Sequence, residues 1–154
     1  MNVLSLPIAV FQSLRTQAEQ AYPCECCGVL LGQPMGPDSG GWRIVDAVPA
    51  ANAEPASSRS RYSIAPGELV RIMREARGRG LEVAGFYHSH PDHAASWSLT
   101  DLAEAHWLGL IYVITAVERD RAGETRAFLL AGTTEEDKRF EPQEIRVEDQ
   151  ERGQ

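Results

Sequence analysis

The residue types and spacing best suited to chemistry stand at the end of a mostly apolar stretch, residues 83–87, which leads into His88 and His90. In an extended chain, residues two apart point to the same face and lie about 7 Å apart along the backbone. Two imidazoles at that separation can converge on one cation, as a pair one turn apart does on a helix. The stretch therefore predicts a strand whose tip carries two metal ligands.

Asp101, which follows Ser98 by three residues, supplies a third candidate ligand. That spacing is typical of a helix start, with the serine as N-cap and the aspartate in the first turn. Residues 91–97 are enough to bring this helix start back over the strand tip. Two neutral imidazoles and one carboxylate leave the fourth position of a zinc ion open to water, as in catalytic sites, although these ligand types leave iron and manganese open.

Each of these features also has an ordinary structural explanation. A single histidine is more often a hydrogen-bonded structural residue than a ligand, and Ser-x-x-Asp is usually only a helix cap. We keep that explanation for His93, in a polar segment, and for His106, in the middle of a predicted helix. The four spaced residues together, with a strand before them and a helix after them, favour the metal site.

The whole chain has the length and composition of one globular domain. Its 154 residues are 43% hydrophobic and 24% charged, and we expect a single domain over residues 1–148 with a polar tail over 149–154. The net charge of −7 disfavours a nucleic-acid binder and binding to an anionic membrane surface. The longest strongly apolar stretch, residues 108–117, is roughly half of what a bilayer-spanning helix needs.

Cysteine usage favours a cytoplasmic protein. The three cysteines, Cys24, Cys26 and Cys27, lie in one stretch of four residues, too close together to cross-link distant parts of a fold. We interpret them as small buried hydrophobic residues at a strand entrance. The first residues also lack the basic region and cleavage site of a secretion signal.

The hydrophobic pattern predicts about six strands and three helices. The helices fall at residues 8–21, 66–78 and 98–107, and the strands at 28–32, 42–48, 81–90, 110–117, 125–131 and, as an edge strand, 143–148. Residues 50–60 read as a surface loop and 61–64 as a brief extended piece. Because some strand pairs are separated by a helix and others by a turn, we expect an α+β fold with a sheet of mixed direction.

His88-Ser-His90, seven residues, Ser98, two residues and Asp101 together resemble the motif of the JAMM (MPN+, Mov34/PAD-1) metallopeptidases. Glu25, three residues before Gly28 and its apolar strand, resembles the upstream glutamate of that family. The resemblance runs from residue 8 to about residue 131. It implies a curved mixed sheet flanked by helices, an MPN/JAB domain related to the cytidine-deaminase architecture.

For the site, the resemblance implies one zinc ion held by His88, His90 and Asp101. Glu25 would activate the zinc-bound water, and Ser98 would donate a hydrogen bond to the oxyanion of the tetrahedral intermediate. Without the resemblance, Glu25 would be one of 22 acidic residues with nothing to single it out. Trp97 departs from the proline that the family often has before the serine, which changes the wall of the substrate groove and leaves the ligands unaffected.

Within the family, the chain resembles short, stand-alone bacterial-type peptidases. These act at the C-terminal Gly-Gly of ubiquitin-like or sulfur-carrier (ThiS/MoaD-like) proteins. The resemblance thus implies hydrolysis of a peptide or isopeptide bond there, with the flexible tail held by strand addition to a sheet edge. The short loop over residues 53–60 disfavours a dedicated polyubiquitin hydrolase.

Two alternatives remain. One is a non-catalytic MPN-type scaffold that binds partner proteins. The other is a zinc nucleoside deaminase, whose motif residues 23–27 match only superficially.

Six arginines form a basic cluster, which is either a solvated face or a contact for an acidic partner: Arg59, Arg61, Arg71, Arg74, Arg77 and Arg79.

Overall fold

Seven strands close into one mixed barrel in the computed structural model, which describes residues 2–36, 41–54 and 61–149. The strands are β1 (Val3–Pro7), β2 (Cys27–Pro34), β3 (Trp42–Ala50), β4 (Glu82–Pro91), β5 (Ile111–Glu118), β6 (Arg121–Ala131) and β7 (Arg139–Glu148). The helices are α1 (Ile8–Ala21), α2 (Pro66–Gly78) and α3 (Leu99–Glu104). Around the barrel the strand order is β1-β3-β2-β4-β5-β6-β7, and β7 pairs back onto β1.

The strand directions are mixed, which confirms the predicted fold class. β2 runs antiparallel to β3 and β4, and β6 runs antiparallel to β5 and β7. β4 and β5, which are separated by α3, are parallel, as are β1–β3 and β1–β7. The turns between β2 and β3, between β5 and β6 and between β6 and β7 reverse the chain, and the crossover through α3 makes β4 and β5 parallel.

Both faces of the sheet are buried at β2, β4 and β5, so these strands read as nearly continuous apolar runs. Leu30 and Tyr87 join one core cluster with Leu14 and Ala18 of α1. Their neighbours along the strands, such as Val29 and Phe86, join a second cluster with Ile72 and Ala76 of α2 on the opposite face. This alternation places α1 and α2 on different faces of the sheet.

The buried faces of the two long helices differ in part from the predicted ones. On α1, Val10, Leu14 and Ala18 are buried, whereas Ile8, at the first turn, is 41% exposed. On α2, Ile72 and Ala76 are buried as expected, but Met73 is 41% exposed. Apolar spacing identified both helices correctly and misplaced the edges of their buried stripes.

Residues 61–64, predicted as a brief extended piece, belong to no helix or strand. Two element predictions were wrong in detail. β1 was missed, since its five residues are held by parallel pairing to β7 and β3 rather than by a local hairpin. α3 ends at Glu104 because Ala105 turns to an extended, buried conformation, so His106 lies outside the helix. Arg59, most of the predicted 50–60 loop and all but the first residue of the predicted tail fall outside the described residues.

Gly85 allows β4 and β5 to approach each other, and we predict that Gly85→Ala destabilises the fold. A Cβ there would collide with the Ile111 carbonyl oxygen and lie 2.6 Å from its carbon. The parallel pairing of Gly85 with Ile111 would then have to shift, at a cost of at least about 2 kcal/mol in the free energy of unfolding. Urea denaturation measures the effect.

Gly123→Ala is the matched control for that measurement. It adds the same methyl group to β6, where the nearest neighbour, the Ala116 carbonyl oxygen, lies at 3.7 Å. We expect the control to unfold within about 1 kcal/mol of wild type. Equal stability of the two variants would contradict the close-packing role of Gly85.

Candidate metal centre

Three side chains meet where the tip of β4 lies against the first turn of α3. His88 Nε2 is 3.2 Å from Asp101 Oδ1, and His90 Nε2 is 3.1 Å from Asp101 Oδ2. The two Nε2 atoms are 3.2 Å apart. Both histidines are buried, so water does not separate these groups. The sequence predicted this juxtaposition from the spacing of the same three residues.

The chemistry of this cluster fits a cation. Two imidazole nitrogens and one carboxylate oxygen lie within 4.8 Å of one another, so all three can bind one ion. Nitrogen and oxygen ligands in a set of three suit zinc. In the described part of the chain, two buried atoms beside the cluster, Glu25 Oε1 and His88 Nδ1, have no hydrogen-bond partner. A buried carboxylate oxygen without a partner, next to three possible ligand atoms, fits a site for a cation and its water.

Asp101 is held in place by the start of α3. Its backbone N–H donates to Ser98 Oγ at 3.0 Å, and its Oδ2 accepts from the Ser98 backbone N–H at 2.8 Å. This reciprocal pair is the capping box that the Ser98–Asp101 spacing predicted. Because the serine oxygen accepts that bond, its hydroxyl proton can be donated elsewhere.

The two imidazoles are oriented by different contacts. His90 Nδ1 lies 2.8 Å from the Ala94 carbonyl oxygen, so Nδ1 donates to that oxygen and Nε2 faces the cluster. The ring of His88 is stacked on that of Tyr62, with centroids 4.4 Å apart and planes inclined by 22°. Sequence reasoning missed Tyr62, because nothing in its local pattern marks an aromatic residue that will contact a distant histidine.

Strand register brings Glu25 to the same place. Cys27 of β2 lies opposite His88 of β4. The pairing continues for one residue, since Ser89 N–H donates to the Cys26 carbonyl oxygen at 3.2 Å and Cys26 N–H donates to Ser89 Oγ at 2.8 Å. One step further, Glu25 falls beside His90 and is 4% exposed.

The glycine three residues after Glu25, Gly28, is needed for packing. A Cβ at Gly28 would collide with the ring of Tyr87, which lies over this position. The Tyr87 hydroxyl donates to Gln17 Oε1 at 2.5 Å, and Gln17 Nε2 donates to the Cys27 carbonyl oxygen at 3.1 Å. Glycine therefore lets the start of β2 sit close to β4, while Gln17 of α1 ties the two strands together.

Burial and charge shift the pKa values of all four groups. Desolvation raises the pKa of Glu25 to about 8, helped by Asp101 and Glu104 and opposed by His90. Burial also lowers the pKa of His88. For Asp101, hydrogen bonds from both histidines outweigh desolvation and hold its pKa well below the usual range. Burial lowers the pKa of His90, but the hydrogen bonds to Asp101 and to the Ala94 carbonyl outweigh it. The net effect is a raised pKa.

A hollow opens on each side of the cluster. One is lined by Glu25, His90, Trp97, Ser98 and other residues of the β4–α3 connection. Trp97, which stands where the resemblance expects proline, forms part of this wall and lies against Phe140 with ring centroids 5.6 Å apart. The cluster therefore borders space that a substrate chain can enter.

The second hollow lies on the Asp101 side and has aromatic walls. It is lined by Tyr62, Asp101, Glu104, Trp107 and Tyr112, among others. Arg61, at the same hollow, forms an ion pair with Glu104 at 2.6 Å. The two hollows, which we call the cleft, border His90 and Asp101 respectively and share Thr100 as a lining residue.

The remaining polar features do not belong to the cluster. His106 is exposed and lies 2.9 Å from Glu135, and the exposed His93 lines the first hollow without joining the ligands. Cys26 and Cys27 are buried, as interpreted from the sequence, whereas Cys24 is only partly buried. Several of the arginines pair with nearby carboxylates, in Arg61–Glu104, Arg71–Glu68 and Arg79–Asp46.

Across the described residues, every helix falls short of the length and hydropathy needed to cross a bilayer.

Two curated proteins are similar in sequence. The chain is 38% identical over 92 residues to the desampylase of Haloferax volcanii, an alignment that covers 60% of this chain and 62% of that protein. It is 28% identical over 128 residues to a probable TtuB-protein conjugate cleaving protease of Thermus thermophilus, covering 83% and 76% of the two chains. The chain thus spans somewhat less than two thirds of the length of the first of these relatives.

Solved structures share the fold. A Desulfitobacterium hafniense protein superposes with a TM-score of 0.79 at 25% identity and covers 95% of this chain and 93% of its own. A Salinibacter ruber protein superposes with a TM-score of 0.68 at 33% identity, covering 97% and 92%.

A family model described as prokaryotic homologues of the JAB domain matches residues 7–146, nearly the whole chain. The match includes Glu25, both histidines of β4, Ser98 and Asp101. The chain therefore belongs to the prokaryotic branch of the JAB/MPN family, which confirms the resemblance that the spacing of these residues indicated.

Proposed function

We propose that this chain is a zinc-dependent peptidase that cleaves the peptide or isopeptide bond after the C-terminal Gly-Gly of a ubiquitin-like or sulfur-carrier protein. The observation that carries the proposal is the convergence of His88, His90 and Asp101 in a cleft beside a buried glutamate. The family supports the reaction class, and the name of the Thermus thermophilus relative describes a protease acting on protein conjugates.

In this proposal His88, His90 and Asp101 hold one zinc ion, which lowers the pKa of a water molecule and polarises the scissile carbonyl. Glu25 is the general base. Its carboxylate takes a proton from the attacking water as the new C–O bond forms, and it gives that proton to the amine nitrogen as the C–N bond breaks. A cation bound beside Glu25 would favour the ionised form of this carboxyl and so oppose the desolvation that raises its pKa to about 8.

Ser98 is placed to act on the oxygen of the scissile carbonyl. Its backbone is fixed by the capping box, and its side chain borders the same hollow as Glu25. A hydroxyl held there stabilises negative charge that develops only in the transition state. The same residue thus fixes Asp101 and assists the reaction.

The cleft suits the Gly-Gly tail of the proposed substrate, because glycines have no side chains. Aromatic side chains, Tyr62 and Trp107, wall the hollow beside Asp101, and glycines pass such walls most easily. Strand addition at β4 is excluded, because β4 is hydrogen-bonded to β2 on one side and to β5 on the other. Among the described residues at the rim of the cleft, Tyr62 and Ile64 offer their main chain as a partner for the tail, because main-chain groups of Arg61 and Ser63 are bonded to residues 52 and 53.

Metal analysis tests the ligand set. We expect about one zinc ion per chain in the purified protein, and a loss of at least about ten-fold in zinc affinity in Asp101→Ala, because a ligand is removed outright. His106→Ala, which removes an exposed histidine outside the cluster, should keep full occupancy. Undiminished zinc binding by Asp101→Ala would contradict the assignment, and a wild-type protein without metal would support the scaffold alternative.

Cleavage of defined substrates tests the base. With a sulfur-carrier protein extended beyond its Gly-Gly, and separately with a ubiquitin fusion, mass spectrometry should show release of the extension and its loss with a chelator. Glu25→Gln should lower kcat by about 10²- to 10⁴-fold while zinc stays bound. Glu136→Gln, a change of an exposed acid, is the control with wild-type activity. Wild-type turnover by Glu25→Gln would remove Glu25 from the mechanism.

The buried Glu25 also predicts a pH dependence of stability in the metal-free protein. Its pKa rises from 4.5 to about 8 on folding, so the protonated form is favoured in the folded state. Its stabilising contribution is therefore complete below about pH 4.5 and is lost as the pH rises through about 8.

Urea denaturation with a chelator, at pH 5 and pH 8, compares wild type with Glu25→Gln, which cannot titrate. We expect the variant to gain on the order of 3 kcal/mol relative to wild type between these pH values. Parallel pH dependence of the two proteins would show that Glu25 is ionised at little cost in the folded state.

A further inference from the structure

The side-chain amide of Asn52, just after β3, uses its whole hydrogen-bonding capacity at one point beside the cleft. Its Nδ2 donates to the Glu25 carbonyl oxygen at 3.3 Å and to the Arg61 carbonyl oxygen at 3.2 Å. Its Oδ1 accepts from Glu54 N–H at 3.0 Å and from Ser63 N–H at 3.1 Å. An amide offers two donors and one acceptor oxygen with two lone pairs, so all four are occupied.

These bonds join two parts of the proposed active site. One partner is the main chain of Glu25, the residue that approaches His90 from the start of β2. The others bracket Tyr62, because Arg61 and Ser63 are its neighbours on either side. Tyr62 is the residue whose ring is stacked on His88. A further bond, from Ala53 N–H to the Ser63 carbonyl oxygen at 2.8 Å, holds the same two segments together.

We propose that Asn52 is a positioning residue that keeps the main chain of Glu25 and the Tyr62 ring over His88 in fixed relation to each other. The role rests on the proposed function, in which Glu25 moves the proton and His88 is a ligand. Asn52 itself does not contact the cluster. It acts through the two bonds that its Nδ2 donates. One bond goes to the Glu25 carbonyl oxygen, and the other goes to the carbonyl oxygen of Arg61, the neighbour of Tyr62.

The two halves of the amide make the proposal separable from a general structural role. The acceptor half binds Glu54 and Ser63 and closes the neck between residues 52–54 and 61–63. The donor half alone reaches Glu25. Asn52→Asp has the same shape and keeps the acceptor half, but it places an oxygen against two carbonyl oxygens where Nδ2 donated. The substitution therefore disturbs the two bonds donated to the Glu25 and Arg61 carbonyl oxygens and keeps the two bonds that the side-chain oxygen accepts from Glu54 and Ser63.

The first measurement is the cleavage assay with the zinc-loaded protein. Asn52→Asp should lower kcat by about ten-fold or more and leave KM within about two-fold, because it shifts reacting groups without removing substrate contacts. The matched control is Glu54→Ala, which deletes the 3.0 Å bond from Ser63 Oγ to Glu54 Oε2 in the same neck but reaches neither Glu25 nor Tyr62. The control should keep kcat.

The second measurement needs no activity. Ring stacking at 4.4 Å shifts the imidazole proton resonances of His88, and NMR of the metal-free protein detects this. Tyr62→Phe should keep the shift, and Tyr62→Leu should lose it. Asn52→Asp should move the His88 resonances toward those of Tyr62→Leu, whereas Glu54→Ala should leave them at the wild-type position. If Asn52→Asp does not fold, Asn52→Ser takes its place, because the shorter serine side chain cannot reach all four partners.

Unchanged His88 resonances together with a kcat within about two-fold of wild type in Asn52→Asp would overturn the proposal. Equal effects of Asn52→Asp and Glu54→Ala would overturn it too, since they would show only a loosened neck. If the wild-type protein cleaves none of the substrates, the proposed function fails by itself, and the NMR comparison still decides whether Asn52 sets the stack of Tyr62 on His88.

Discussion

The contact of one carboxylate with two imidazoles is the interaction on which the rest of the site depends. Asp101 reaches His88 and His90 at 3.2 and 3.1 Å, and it does so from a helix start that its own capping box with Ser98 fixes. Two nitrogens 3.2 Å apart and an orphaned Glu25 oxygen nearby are a costly arrangement for a folded chain without a cation. In the proposed function, this local cost is what a bound cation would offset.

The parts of the site that lie close together in sequence could be predicted from it. The i, i+2 spacing of His88 and His90 needs only the geometry of a strand, and the Ser98–Asp101 spacing needs only that of a helix start. Glu25 could not be found in this way, because its position depends on the pairing of Cys27 with His88 across two strands. Only the family resemblance identified it.

The fold shows the same division between local and distant interactions. The three helices and six of the strands followed from hydrophobic pattern, whereas β1 did not, since its pairing with β7 joins residues far apart in the chain. Tyr62 and Asn52 escaped prediction for a related reason. An aromatic ring and an amide carry no periodic signal, and their importance comes from the partners that the fold brings to them.

The closure of the barrel has a consequence for how the protein is made. β1 precedes the other strands of the barrel and pairs along its whole length with β7, which follows them, in the register Val3–Glu144 to Pro7–Glu148. Until β7 emerges from the ribosome, β1 and β6 each lack a neighbour, and their free backbone groups can pair with other nascent chains. During synthesis the barrel therefore stays open between β1 and β6 until β7 is available.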